Sequence, residues 1–278
     1  MKKILYSILI FLTITFSILL YSRFIGIKGL KTNEIIINDN IPENYNGLKI
    51  IHFADIHYKK VITENDIKNL IKEINKNKPD LVLFTGDLTD KDYTLKGKDI
   101  NFLIEQFSKI ESKYGSYAIL GDQDKNKETI NNIYIQSNFT LLQNESAIIQ
   151  NEKNEKILLI GLNSAINESA NIKKALKSNQ ENISYKIALI HEPDYTDTIL
   201  TEDPNISLIL SSHSINGSIN IPIIKNLLLP NKAKKYYNPH YKINNTNLYI
   251  TNGIGVNQVN FRFLNKPSIN FYRLKINN

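Results

Sequence analysis

Six residues of metal-ligand type in this chain occupy one repeated kind of position. Asp55 and His57 close the stretch LKIIHFADIH, Asp87 closes DLVLFTGD, and Asp122 follows SYAILG. His191 follows YKIALI, and His213 follows SLILSS. Each lies just past an apolar run of strand type, and open α/β sheets bind ligands at the carboxyl ends of their strands. Imidazole nitrogen with carboxylate oxygen, and no sulfur, suits Mn, Fe, Zn or a similar divalent ion. A carboxylate such as Asp87 can bridge two ions about 3.5–4 Å apart, an arrangement used for in-line attack on phosphorus. The chain has no cysteine, which excludes disulfides, thiolate metal sites and a cysteine nucleophile.

Taken singly, these residues have blander readings. A Gly-Asp pair is more often a turn than a ligand, and a lone histidine is more often hydrogen-bonded in a core. His52, one strand position inside the sheet, reads as such a core residue, and His240 reads as a loop histidine. Six ligand-type residues at strand exits are hard to attribute to turn chemistry together.

The elements that must position them alternate strand and helix. TENDIKNLIKEINKN places Ile67, Leu70, Ile71 and Ile74 at helical spacing behind Thr63, a suitable N-cap. DINFLIEQFSKI repeats the pattern through Ile100, Leu103, Ile104 and Phe107. EKILLIGL reads as a further strand, and the C-terminal third reads as β segments with little helix. This β-α-β-α-β start implies a buried, partly parallel sheet in one large α/β domain.

Charge narrows the partners. The net charge of +7 is concentrated where Lys2, Lys3, Arg23, Lys28 and Lys31 precede any acidic residue. Without these five, 29 basic residues face 27 acidic ones, and the whole chain has only three arginines, so no nucleic-acid partner is expected. Between Lys3 and Arg23 runs an uncharged 19-residue segment, Ile4 to Ser22, about the length that crosses a bilayer as a helix. No small-x-small cleavage pattern follows it, so an uncleaved signal anchor is the reading. Lys2 and Lys3 favour an inside N-terminus while Arg23, Lys28 and Lys31 oppose it; a main domain outside the cytoplasm is the favoured orientation. The expected division is residues 1–27 as transmembrane anchor, 28–46 as linker and lead-in, and 47–278 as the main domain.

DIH, GDLTD, GDQD, HEP and SHSING fall in the order and spacing of the calcineurin-like metallophosphoesterases. The chain resembles their membrane-anchored bacterial phosphodiesterase branch, from about Gly47 to the C-terminus, including LYITNGIG and NFRFLNKPSINFYRL. The resemblance implies a four-layer α-β-β-α sandwich, the metallo-dependent phosphatase fold, preceded by one transmembrane helix. It implies one metal position at Asp55, His57 and Asp87, and a second at Asp87, Asp122, His191 and His213. It also implies attack on phosphorus by a metal-activated hydroxide, with Asp87 and Gln123 at the catalytic positions and one or two divalent ions of Mn, Fe or Zn type as cofactors.

The family pattern is changed at three positions. Asp122 stands for an asparagine, Gln123 for a histidine and Ile215 for the last histidine of a Gly-His-x-His motif. Asp122 still offers oxygen. Ile215 offers no ligand, unless Asn216 or Asn220 swings an amide oxygen in. Gln123 can hydrogen-bond a phosphoryl oxygen but cannot donate a proton, and general acid catalysis is worth about 10²–10⁴-fold. Asp90 and Asp124 read as residues that orient ligands. Two functions follow: a membrane-tethered phosphohydrolase acting on a phosphodiester or pyrophosphate, with phosphorylated small-molecule, lipid-linked or cell-envelope substrates, or a relative that binds a metal ion and a phosphorylated ligand or partner without turnover.

Overall fold

The computed structural model describes residues 2–167, 169–178, 182–215, 217–221, 228–256 and 259–277. The chain opens with the apolar helix α1 (Lys2–Leu20), which buries none of its residues, and a π-helical turn at Tyr21–Ile25. By length and composition this helix can cross a bilayer.

The rest forms two six-stranded sheets. The first contains β1 (Lys31–Asp39), β2 (Lys49–Phe53), β3 (Leu81–Phe84), β4 (Ser116–Ala118), β5 (Phe139–Leu141) and β12 (Ser268–Ile276), in the order β1-β12-β2-β3-β4-β5. The second contains β6 (Glu145–Gln150), β7 (Lys156–Gly161), β8 (Tyr185–Leu189), β9 (Leu208–Ser211), β10 (His240–Ile243) and β11 (Thr246–Ile250), in the order β10-β11-β9-β8-β7-β6. Helices α2 (Glu64–Lys76), α3 (Gly97–Phe107) and α4 (Lys127–Gln136) pack on the first sheet, α5 (Ile172–Lys177) and α6 (Thr196–Glu202) on the second.

Leu81, Leu83, Leu159, Ile187, Leu189, Leu208 and Leu210 form a core between the sheets. Two further cores lie beneath the helices, so the layers run helix, sheet, sheet, helix as the resemblance implied. Buried on both faces, β2, β3, β8 and β9 read as continuous apolar runs. Helix α2 begins at Thr63, whose hydroxyl accepts from the Asp66 amide while the Asp66 carboxylate accepts from the Thr63 amide, and it buries Ile67, Leu70, Ile71 and Ile74. In α3 the stripe is narrower than expected: Leu103 and Phe107 are buried, and Ile100 and Ile104 pack half-exposed beside them.

Two local expectations change. The segment expected to be linker and lead-in contains β1, which pairs in parallel with β12 from Lys31↔Ser268 to Asp39↔Ile276. Its sequence, KTNEIIIND, is an edge strand whose partner comes from the far end of the chain, so its own polarity concealed it. His240 is not in a loop: it opens β10, and its ring stacks on Tyr249 with centroids 4.4 Å apart.

Candidate metal centre

In the first sheet β2, β3 and β4 run parallel, and in the second β8 and β9 do. Their carboxyl ends bring all six ligand-type residues together. At those ends the backbone leaves extended geometry abruptly: φ is 52° at Asp55, 46° at His57, 60° at Asp87 and 61° at His213. Left-handed backbone costs a non-glycine residue of order 1–3 kcal/mol and persists only where the surroundings enforce it. Here the Asp55 amide donates to Gly86 O at 3.0 Å and the His57 amide to Asp87 O at 3.1 Å. These bonds knit the two strand exits together, so the turned carboxylates and imidazoles face one point.

Two sets result. Ligand atoms of Asp87, Asp122, His191 and His213 lie within 4.8 Å of one another, as do those of Asp55, His57 and Asp87. Asp87 belongs to both. His191 Nε2 lies 3.2 Å from both Asp87 Oδ2 and Asp122 Oδ1, and His213 Nδ1 lies 3.1 Å from Asp122 Oδ1. His57 Nε2 lies 3.7 Å from Asp87 Oδ2 and 4.0 Å from Asp55 Oδ1.

Neighbouring acceptors fix which imidazole nitrogen faces inward. His191 Nδ1 is 2.7 Å from Thr85 O and His213 Nε2 is 2.9 Å from Asn231 O. A carbonyl only accepts, so those nitrogens carry the protons, and His191 Nε2 and His213 Nδ1 face the carboxylates. Asp124 is not in either set. It accepts from the amides of Gly121 and Asp87 at 2.9 Å and of Thr89 at 3.2 Å, tying the β3 and β4 exits together. That is the orienting role read from sequence. Asp90 receives Lys60 Nζ at 2.6 Å and stands 3.8 Å from His57 Nδ1.

The electrostatics fit a cation. Burial pushes Asp55 up to about 7 and Asp87 up to about 6. It pushes His57 down to about 3, leaving a neutral imidazole. Burial also works against the charged forms of Asp122, His191 and His213, but bonds and charges between acid and imidazole prevail, lowering Asp122 and raising His191, through Asp87 and Asp122, and His213, through Asp122. Asp55 Oδ1, Asp87 Oδ2 and both His57 ring nitrogens are buried without a hydrogen-bond partner among the described residues. Buried polar atoms are normally satisfied, and a divalent ion would satisfy Asp55 Oδ1, Asp87 Oδ2 and His57 Nε2, while His57 Nδ1 faces Asp90 at 3.8 Å.

The three departures also have places. Gln123 donates from its backbone to Asp87 Oδ1 at 2.8 Å and from its side-chain amide to Asp122 Oδ2. Ile215 is buried at φ 50°, and its Cγ2 flanks the same point above Gly253 as Asp55 Oδ2. Asn220 lines a different cavity, beside Tyr21 and Arg262, and Asn216 lies outside the described residues.

Sequence reading missed Arg262 and the glycines beneath the acids. The Arg262 guanidinium is fully buried and donates to the carbonyls of Asn252, Gly253, Gly255 and Asn265. Burial pulls it down to about 9. It thereby holds Gly253, whose missing side chain leaves room for Asp55: a Cβ there would lie 2.9 Å from Asp55 Cβ. At Gly121 a Cβ would come within 2.0 Å of Asp87 Oδ1.

The calcineurin-like phosphoesterase family model matches residues 48–216. The chain is 28% identical over 262 residues to the uncharacterized metallophosphoesterase YkuE of Bacillus subtilis (strain 168), covering 93% of this chain and 90% of that relative. It is 25% identical over 222 residues to the phosphodiesterase YaeI of Escherichia coli (strain K12), covering 77% of each. It is 24% identical over 254 residues to a Danio rerio transmembrane protein with metallophosphoesterase domain, covering 85% of this chain and 55% of that relative.

Two outcomes follow from this geometry. Gly121→Ala displaces Asp87, so it lowers bound manganese, measured by plasma mass spectrometry, by roughly 10-fold or more and costs about 1–3 kcal/mol in denaturation. Protons compete with the cation at Asp55, Asp87, His191 and His213, all held above their ordinary values. The manganese-induced rise in Tm is therefore larger at pH 8 than at pH 5.5; equal rises at both would contradict the assignment.

Proposed function

The chain belongs to the calcineurin-like phosphoesterase family, and we propose that it is a membrane-tethered, metal-dependent phosphohydrolase cleaving a phosphodiester or pyrophosphate bond in a lipid-linked or cell-envelope substrate. The observation that carries this reading is the pair of ligand sets sharing Asp87, beside an open cavity of about 400 Å³ lined by Lys60, Lys91, Asp122, Gln123 and His213. One ion would be held by Asp55, His57 and Asp87, the other by Asp87, Asp122, His191 and His213. When bound, divalent ions supply Lewis acidity toward phosphoryl oxygens and toward water.

The chain's own residues do the rest. Lys60 and Lys91 share the cavity wall with Asp90, Asp92 and Asp122, and Lys60 is paired with Asp90 at 2.6 Å, so the protein lining alone is not net positive and the attraction for an anionic substrate would come from bound cations. Gln123 sits at the cavity with its backbone and side chain already bonded to Asp87 and Asp122, so it can turn an amide N–H toward a phosphoryl oxygen. It has no proton to give a departing oxygen. Leaving groups of low pKa suffer least from that loss, which favours a pyrophosphate or an acidic ester over a simple alkyl ester.

Tethering rests on the exposed apolar helix α1, and the resemblance to a transmembrane relative supports it. In this reading residues 1–27 are the anchor, and the phosphoesterase domain extends back from 47–278 through the lead-in, because β1 completes its first sheet. Lys2 and Lys3 favour a main domain outside the cytoplasm, against Arg23, Lys28 and Lys31 on the other side of the helix.

One observation favours a second reading. With Ile215 buried beside Asp55, the Asp55–His57–Asp87 set has three protein ligands, and Gln123 lacks acid function. A protein so altered could hold a cation and a phosphorylated ligand without turning it over.

Manganese-loaded full chain in detergent is expected to hydrolyse an aryl phosphodiester slowly, and Asp87→Asn is expected to reduce the rate by roughly 100-fold or more. The double change Gln123→His with Ile215→His is expected to raise it. Bound metal with neither basal turnover nor gain in the double variant would establish the binding reading instead. Orientation is read by protease treatment of intact spheroplasts: cleavage of the main domain supports an outside location, and protection until lysis rejects it.

A further inference from the structure

At the foot of α1 the structure contains a second cavity, separate from the candidate metal centre. It measures about 340 Å³, and Tyr21, Lys31, Asn33, Asn220, Arg262 and Lys266 are among its walls. From its position and lining we infer that this cavity binds the headgroup of an anionic phospholipid. The inference rests on the reading that α1 spans a bilayer.

The cavity is fixed where the anchor ends. Arg262 donates its amide to Ser22 O at 3.0 Å, and Ser22 is buried. Gly26 meets the same segment so closely that a Cβ would lie 1.9 Å from Arg262 O. The Tyr21 ring meets Phe263 edge to face, with centroids 6.1 Å apart. Helix and domain are thus docked, and the cavity lies within about one helical turn of the anchor's end.

Its chemistry suits a phosphate ester. Among the described residues, no carboxylate lines the cavity. Lys31 and Lys266 stand at the adjacent starts of β1 and β12, where the Lys31 amide donates to Pro267 O at 3.0 Å. Neither lysine makes an ion pair with an acidic residue among the described residues. The Arg262 guanidinium behind them bonds to main-chain carbonyls, so its positive charge is not cancelled by a hydrogen-bonded carboxylate. The surroundings distinguish a lipid from a free anion: Leu264 is 68% exposed, Phe24 58% and Ile25 57%, and Leu264 lines the cavity itself. Apolar side chains beside a cationic pocket match an acyl chain beside its headgroup.

The test uses the full chain in nanodiscs of phosphatidylcholine, alone or mixed with phosphatidylglycerol, with bound lipid read by native mass spectrometry. The chain is expected to enter both discs and to retain phosphatidylglycerol preferentially. Lys31→Gln and Lys266→Gln should each reduce that preference by about fivefold, while Lys174→Gln on α5, an equal loss of charge elsewhere, should leave it unchanged. Entry into phosphatidylcholine discs without any preference for phosphatidylglycerol overturns the headgroup site and leaves tethering intact. Failure to enter either disc overturns tethering, and the headgroup site with it. If inorganic phosphate raises the Tm of lipid-free protein in a Lys31- and Lys266-dependent manner and displaces the lipid, the site is one for a soluble anion, and the lipid assignment is wrong.

Discussion

The carboxylate of Asp87 is the constraint around which this molecule is arranged. It is fully buried, one oxygen accepts the Gln123 amide, and the other faces His57 and His191 without a hydrogen bond. A buried carboxylate without compensation is among the costliest groups a fold can hold. Three more acids and three imidazoles surround it instead of apolar side chains. Burial raises Asp55 and Asp87 above their ordinary values while the neighbouring imidazoles pull them back, and a divalent cation removes the conflict because it needs the ionised acids and neutral imidazoles together.

Much of the surrounding structure holds this point in place. Asp124 gathers three amides from two strand exits, Thr85 and Asn231 set the outward nitrogens of His191 and His213, and Arg262 fastens the carbonyls behind Asp55. Left-handed backbone at Asp55, His57, Asp87 and His213 turns the side chains off their strands and toward each other. Because Arg262 also carries the amide that meets Ser22, the same segment joins the centre to the base of the apolar helix.

What the sequence made legible was the chemistry at strand exits. Ligand types after apolar runs gave the six residues, and the order of the motifs gave the sandwich. Local patterning also found α2 with its Thr63 cap. Contacts between distant segments were not legible. The strand Lys31–Asp39 is completed by β12, more than two hundred residues away, and its own signal is only the short run Ile35–Ile37 between polar residues. Arg262 looked like one of three scattered arginines because its partners are backbone carbonyls, which no side-chain pattern reports. Gly121, in a Gly-Asp pair, has the look of a turn, and nothing in the sequence singles out Gly253, whereas the role of both is to leave space for Asp87 and Asp55. His240 was misplaced because an exposed, alternating edge strand resembles a polar loop in sequence.

Pulsed electron paramagnetic resonance on the manganese-loaded full chain tests the central claim most directly, since it reads the ion's ligands without depending on turnover. Convergence of His57, His191 and His213 with the shared Asp87 predicts nitrogen modulation from imidazole on the manganese signal. A spectrum of hydrated manganese with no nitrogen coupling would contradict it.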